Sequence, residues 1–340
     1  MQTFFDLYEY SVNNRAQFWD IVFKNIDPIH TGTYTKVVDE NARIDSIPRW
    51  CEGINVNFAE NVLYSHKRGT NSDQRSTIGK EDDKIAIVEV REGGTDIKEV
   101  TWKKLRKDTA RLASAMKAYG LKKGDRVAVV ASNSYDTLRV FLAITSLGGI
   151  FSSSSTDMGT KGVLQRTLQI EPTYIFIDDF AIFNGKKFDL REKMTELVEG
   201  MKDVRGFKGI VSMPRFDQPA DISKVPRTTL LKEFEKQSTS SEPQFETMAF
   251  RDPFVICYSS GTTGKLITTA QSFDLSHYRY AKMPCPLNRW MSSFLWQRRK
   301  IPRPSESHRH ISPIHYNGVD NVSDFGHEPP SRSKGSTLRR

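Results

Sequence analysis

Asp252-Pro-Phe-Val-Ile-Cys-Tyr-Ser-Ser-Gly-Thr-Thr-Gly264 joins a short apolar run to a loop of hydroxyls and glycines. Phe254 to Tyr258 are β-branched, aromatic or small apolar residues, the pattern of a strand buried on both faces. Ser259, Ser260, Thr262 and Thr263 then supply four hydroxyl donors. Gly261 and Gly264 permit the positive φ that lets successive backbone N–H groups close around an anion. A P-loop ending in Gly-Lys-Ser/Thr would need Gly at Ser259 and Ser or Thr at Leu266, so that motif is excluded. A plain polar turn between two strands is the competing reading of the segment taken alone.

Upstream, the chain alternates strand and helix patterns. Ile85–Val90, Arg126–Val130, Ile150–Ser152, Tyr174–Ile177 and Gly209–Val211 read as strands. Between them Trp102, Leu105, Thr109, Leu112, Ala113 and Met116 recur at helical spacing with Gly120 as the stop, and Leu138, Phe141, Leu142 and Thr145 do the same up to Gly148. Further helices are expected around Val163–Leu168, Glu192–Met201 and Leu230–Lys236. Repeated βα units predict an α/β fold with a mostly parallel sheet covered on both faces. Ligands of such sheets gather at the carboxyl ends of the strands, where Ser259 to Gly264 sits.

Residues 1–66 read as a helical N-terminal cap. Phe4, Phe5, Leu7, Tyr8, Tyr10, Phe18, Trp19, Ile21, Val22 and Phe23 form an aromatic-rich stretch too short to build a core of its own, so it is expected to pack on the larger body. Asn57 and Glu60 have capping-box spacing ahead of a short helix to Leu63. Residues 67–83 are polar and read as an exposed loop.

Residues 266–340 follow no such pattern. They hold 12 Lys and Arg against 5 Asp and Glu and so carry +7 of the formal +9 net charge. With five of the seven histidines and seven of the fifteen prolines scattered without period, this basic tail is expected to be disordered. Polyanion binding by the tail is one function class it leaves open, without sign of specific nucleic-acid recognition. His308-Arg-His310 lacks a second ligand pair, so no metal site is expected. Cys51, Cys257 and Cys285 fit neither a zinc knuckle nor a CxxC pair, and Cys257 reads as a small core residue. The N-terminus has no basic segment followed by an apolar run, and no stretch reaches the roughly 18 to 20 apolar residues of a membrane helix. A reduced, cytoplasmic protein without membrane association is the expectation.

Tyr258-Ser-Ser-Gly-Thr-Thr-Gly264 resembles the phosphate-binding signature of the adenylate-forming acyl-CoA synthetases. Asn57-Phe-Ala-Glu-Asn-Val-Leu63 and Leu121-Lys-Lys-Gly-Asp-Arg-Val127 are similar to segments of the same family. Ile150 to Arg166, Gln169-Ile-Glu-Pro172 and Phe183-Asn-Gly-Lys186 resemble its acetoacetate-using branch more than its acetate-using one. The resemblance spans residues 4 to 264 and implies that 84–265 are part of an AMP-binding domain. After Gly264 the family continues with any residue, then Pro, then Lys, whereas this chain reads Lys265-Leu-Ile267. Lys265 therefore lies two positions early and is a weak catalytic candidate; in an extended segment its Cα would be displaced by about 6 to 7 Å.

The resemblance implies a ligase that joins acetoacetate to coenzyme A at the expense of ATP, with Mg²⁺ on the phosphates and an acyl-adenylate on the way. Ser259, Ser260, Gly261, Thr262, Thr263 and Gly264 match its ATP-phosphate loop. No signatures of the family's adenine, ribose and coenzyme A contacts are found in 266–340, so a truncated, inactive form is the expectation. A non-catalytic ATP-binding or regulatory fragment is the alternative.

Overall fold

The computed structural model of the chain describes residues 3–42, 48–91, 94, 96–259 and 267–272, with Ser259 and 267–272 described through their backbone. The N-terminal part contains α1 (Phe4–Asn13), α2 (Arg15–Ile26), β1 (His30–Thr31), β2 (Asn55–Val56), α3 (Phe58–Leu63), β3 (Ser65–His66) and β4 (Arg75–Ser76). Then come β5 (Ile85–Val90), β6 (Ile97–Thr101), α4 (Trp102–Ala118), β7 (Arg126–Val130), α5 (Tyr135–Ser146), β8 (Ile150–Ser154), α6 (Thr160–Ile170) and β9 (Tyr174–Asp178). The remainder is β10 (Phe180–Phe183), β11 (Lys186–Asp189), α7 (Arg191–Gly200), β12 (Gly209–Met213), β13 (Thr228–Leu230), α8 (Leu231–Glu235), β14 (Met248–Ala249), β15 (Pro253–Ser259) and β16 (Ile267–Ser272).

The central sheet has the order β13-β12-β9-β7-β8-β15-β16. Its first six strands run parallel, and β16 pairs antiparallel with β15. Alternation along each strand divides the side chains between two cores. Val127 and Val129 of β7, Tyr174 and Phe176 of β9, and Val211 of β12 join one cluster with α4 and α5. Ala128, Val130, Ile175, Ile177 and Ile210 join the other with α6 and α7. Burial on both faces is what the continuous apolar runs require of a parallel sheet. α5 is buried at every position except Asp136, and Ser134 caps it by accepting a hydrogen bond from the Thr137 N–H.

The segment linking the N-terminal part to the sheet is tied in by one residue. The Asn57 side-chain oxygen accepts from the Glu60 N–H and caps α3, while its Nδ2 donates to the carbonyls of Thr145, Ser146 and Glu246 at 3.2, 3.1 and 2.9 Å. Phe58, next in sequence, stacks on Phe254 of β15 at 4.6 Å and meets Phe141 of α5 edge-on at 5.1 Å. The N-terminal packing expected from the sequence is seen at Trp19, against Trp50, and at Phe23, against Phe250, while Ile21 is 45% exposed and no residue of α2 is buried.

It does not hold for α1. No residue of that helix is buried, and Phe4 and Phe5 are 75% and 73% exposed. The helix is stabilised locally, by a capping box between Thr3 and Asp6. Two further expectations are corrected. Residues 67–83 are not loop throughout, because β4 pairs with β3, His66 opposite Arg75. Residues 267–272, assigned from the sequence to a disordered tail, form β16 and supply hydrogen-bond partners along the edge of β15. Residues 273–340 lie outside the described residues. No helix among the described residues is long and apolar enough to cross a membrane.

Candidate functional site

The carboxyl ends of β7, β8, β9, β12 and β15 lie along one edge of the sheet. The order β9-β7-β8 contains a reversal: the chain passes from β7 to β8 on one side, then to β9 on the other and outward to β12. Crevices at such reversals are where open α/β sheets bind ligands. In this chain the crevice between β7 and β9 is bridged. Asp178, the last residue of β9, accepts from the Ser132 N–H and from the Ser132 hydroxyl, both at 2.8 Å. Burial pushes the Asp178 carboxyl up to about 6. Its neighbour Asp179, fully buried, accepts from the N–H groups of Arg215 and Ala220 at 2.7 and 2.8 Å. Both carboxylates therefore hold loops in place.

On the other side of the sheet, β15 is clasped to β8. Val255 pairs with Phe151 and Ile256 with Ser152, whose hydroxyl donates to the Ile256 carbonyl at 3.1 Å. Tyr258, one residue before the loop, donates its hydroxyl to the Arg166 carbonyl at 2.7 Å. The Arg166 guanidinium lies 4.8 Å over the Tyr258 ring and donates to the Ser154 hydroxyl at 3.2 Å. Burial pushes the Tyr258 phenol up to about 12, so it stays a donor across the physiological range. The loop between β8 and α6 is held by Lys193, which donates to the carbonyls of Thr156 and Met158 at 2.7 and 2.8 Å.

Of the sequence-derived site residues, Ser259 ends β15 at this edge. Ser260, Gly261, Thr262, Thr263, Gly264 and Lys265 lie outside the described residues. Cys257 packs against the core cluster that contains Val255, as expected of a small core residue, and burial raises its thiol. Among the described residues no three His, Cys, Asp or Glu side chains gather as a metal site. The sequence reading passed over Arg166 and Tyr258 as site residues. The signal was an arginine on the helix after β8 and a phenol one residue before the loop, both outside the Ser/Gly/Thr run that drew attention.

Ser259 stands at the carboxyl edge of a parallel sheet covered on both faces, the edge at which open α/β sheets bind ligands. The model of the AMP-binding enzyme family matches residues 75–266, and the chain belongs to that family. It is 36% identical over 269 residues to an acetoacetyl-CoA synthetase of Macaca fascicularis, covering 78% of this chain and 38% of the relative. An acetoacetyl-CoA synthetase of Xenopus tropicalis is 37% identical over 265 residues, covering 76% of this chain and 37% of its own length. A malonamoyl-CoA synthetase of Penicillium aethiopicum is 32% identical over 268 residues, covering 78% and 36%. The solved acetoacetyl-CoA synthetase from Streptomyces lividans superposes with a TM-score of 0.68 at 27% identity, covering 81% of this chain and 39% of that one. The chain thus spans less than two fifths of the length of these relatives.

Proposed function

We propose that this chain carries the ATP-phosphate site of an acid–thiol ligase that joins acetoacetate to coenzyme A. The observation that carries the reading is the delivery of Ser259 to the carboxyl edge of the sheet, directly ahead in sequence of Ser260 to Gly264. The strand that delivers it is half-buried rather than fully buried, with Phe254 and Cys257 packed on one core cluster and Ile256 and Tyr258 on the other. In the reaction an acetoacetate carboxylate oxygen attacks the α-phosphorus, and pyrophosphate leaves. The coenzyme A sulfur then attacks the acyl carbon, and AMP leaves. The obstacle in the first step is the charge of the triphosphate, which repels a carboxylate and makes pyrophosphate a poor leaving group unless it is neutralised.

The hydroxyls of Ser259, Ser260, Thr262 and Thr263 and the N–H groups around Gly261 and Gly264 would hold the β and γ phosphates. Mg²⁺, when bound, neutralises the same phosphates. Each preorganised donor of this kind is worth about two to three decades in rate. Lys265 is the first cation after the loop. With Leu266 and Ile267 where the family pattern has Pro and Lys, the clamp on the γ phosphate is incomplete, and we propose that this chain is an inactive form that keeps the phosphate loop. The substrate assignment rests on the relatives named acetoacetyl-CoA synthetase and on the stretch Ile150 to Arg166. We also propose the division into a cap of residues 1–66, a connecting segment of 67–83 and an AMP-binding part of 84–265.

The test is to join residues 1–264 to the second half of an acetoacetyl-CoA synthetase, beginning with its residue-Pro-Lys, and to follow pyrophosphate release. The chimera should adenylate acetoacetate in preference to acetate. A folded chimera that prefers acetate would contradict the substrate assignment.

A further inference from the structure

The ring of His66, in β3, connects two parts of the N-terminal region, and its side chain is only 9% exposed. Nδ1 lies 2.9 Å from the Asp27 carboxylate, and Nε2 lies 3.1 Å from the Asn71 carbonyl. Asp27 is the C-cap of α2; it takes the left-handed conformation, with φ of 52°, and its own N–H donates to the Phe23 carbonyl. Asn71 belongs to the loop 67–74 between β3 and β4. The ring therefore ties that loop to the end of α2.

Both partners of the ring are acceptors. A backbone carbonyl has no proton to give, and that of Asn71 also accepts from the Gln74 N–H at 2.9 Å. The Asp27 carboxylate is further paired with the Arg68 guanidinium at 3.5 Å. The other charged or titratable groups around the ring are Arg75 of β4, opposite His66 and paired with Glu60 at 3.3 Å, His30 of β1, and Lys80, which lines the same cavity as His66 and Asp27. A neutral imidazole has one N–H and one lone pair, so it serves one of its two acceptors and sets the lone pair against the other. Only the imidazolium donates to both. The bond to the carboxylate is the stronger of the two because it is charge-assisted. A neutral ring therefore keeps its Nδ1 proton on Asp27 and turns the Nε2 lone pair on the Asn71 carbonyl.

We propose that His66 is a proton-operated latch: as imidazolium it holds the loop 67–74 to the end of α2, and on losing its Nε2 proton it releases the loop. The device is separate from the phosphate loop and does not depend on the reaction proposed for it. The extra bond is present on the acid side and is lost as pH rises, the sign expected of a histidine that gains a partner on folding. Amide hydrogen exchange of the full chain, corrected for its intrinsic pH dependence, and nitrogen-15 spectra of labelled histidine test this between about pH 5 and about pH 8.5. Opening at the bonded N–H groups of Thr70 and Gln74 should rise by roughly three- to tenfold across that range, the value of one hydrogen bond, in step with loss of the Nε2 proton and with α2 still protected. His66→Gln, which has no titrating group, should abolish the pH dependence of the loop. Asp27→Asn, which removes the charge facing the imidazolium, should move both changes to lower pH. Loop exchange that does not change with pH in the parent, the same pH dependence in His66→Gln, or loss of the Nδ1 proton in place of the Nε2 proton would overturn the proposal; the parent measurements decide it even where a variant fails to fold.

Discussion

Asp178 and Ser132 close the switch point of the parallel sheet: the carboxylate at the end of β9 takes both the N–H and the hydroxyl of the residue two positions beyond β7, each at 2.8 Å. Burial raises the Asp178 pKa from 3.8 to about 6, so its charged form is disfavoured in the folded chain. A raised carboxyl gives stability that is complete below the unfolded value near 4 and is lost as pH rises through about 6. The loss amounts to about 3 kcal/mol at most. Asp178→Asn keeps an acceptor for Ser132 without the charge. Urea midpoints between pH 4 and pH 8 should therefore fall in the parent relative to Asp178→Asn, and parallel curves would remove this group as the cause.

Asn57 should be among the most sensitive positions outside the sheet. Its amide serves three carbonyls, two of them buried, and its oxygen caps α3. Asn57→Ala loses a cap, worth about 1 kcal/mol, and the side-chain hydrogen bonds to three carbonyls, of which those of Thr145 and Ser146 keep the Gly148 and Glu246 N–H groups, at about 0.5–1.5 kcal/mol per bond. Asn57→Asp should be no better, because a carboxylate would face oxygen acceptors. Chemical denaturation of the two variants checks this, and an Asp variant as stable as the parent would refute it.

Glu235 ties α8 to two other helices. It accepts from Arg139 of α5, which is also held by Asp136 at 2.6 Å, and from Arg111 of α4 at 2.5 Å. Arg139 and Glu235 are both buried. Removing one partner of such a pair costs about 3–5 kcal/mol, whereas replacing both with apolar residues is often neutral. Glu235→Leu alone should lower the melting temperature sharply, and Arg139→Met with Glu235→Leu should recover much of the loss. A double variant no better than the single one would show that the charges are not coupled.

How much of this was legible in the sequence depended on whether neighbours in the chain or distant residues set the structure. Arg126-Val-Ala-Val-Val130 and the helix from Tyr135 to Ser146 were readable because burial imposes a dense apolar pattern on them. The hairpin of β10 and β11 was also within reach: Asn184 and Gly185 take φ of 50° and 72°, the two positive values that make Asn-Gly a tight hairpin turn. The reading used those residues only for their resemblance. β16 carried no comparable signal, since Ile-Thr-Thr-Ala-Gln-Ser is a strand because β15 offers an edge to pair with. α1 misled in the opposite direction: its apolar residues lie on a helix with no buried residue.

The contact of Tyr258 with Arg166 was not legible in the sequence. Tyr258→Phe should loosen the junction of β15 and α6 by removing the hydrogen bond to the Arg166 carbonyl, at about 0.5–1.5 kcal/mol of stability. It leaves every loop hydroxyl intact. Differential scanning calorimetry should register the loss, and an unchanged profile would mean that the bond is replaced by water.

The central claim is that the loop after β15 holds nucleotide phosphates, and the direct test is ATP binding to the full chain in Mg²⁺ by titration calorimetry, for the parent and for Thr263→Ala. Saturable binding, displaced by pyrophosphate and weakened roughly tenfold to a hundredfold in the variant, is the predicted result, because a hydrogen bond to a charged oxygen is worth about 1.5–3 kcal/mol. No saturable binding to the parent, or equal affinity in the two proteins, would contradict it.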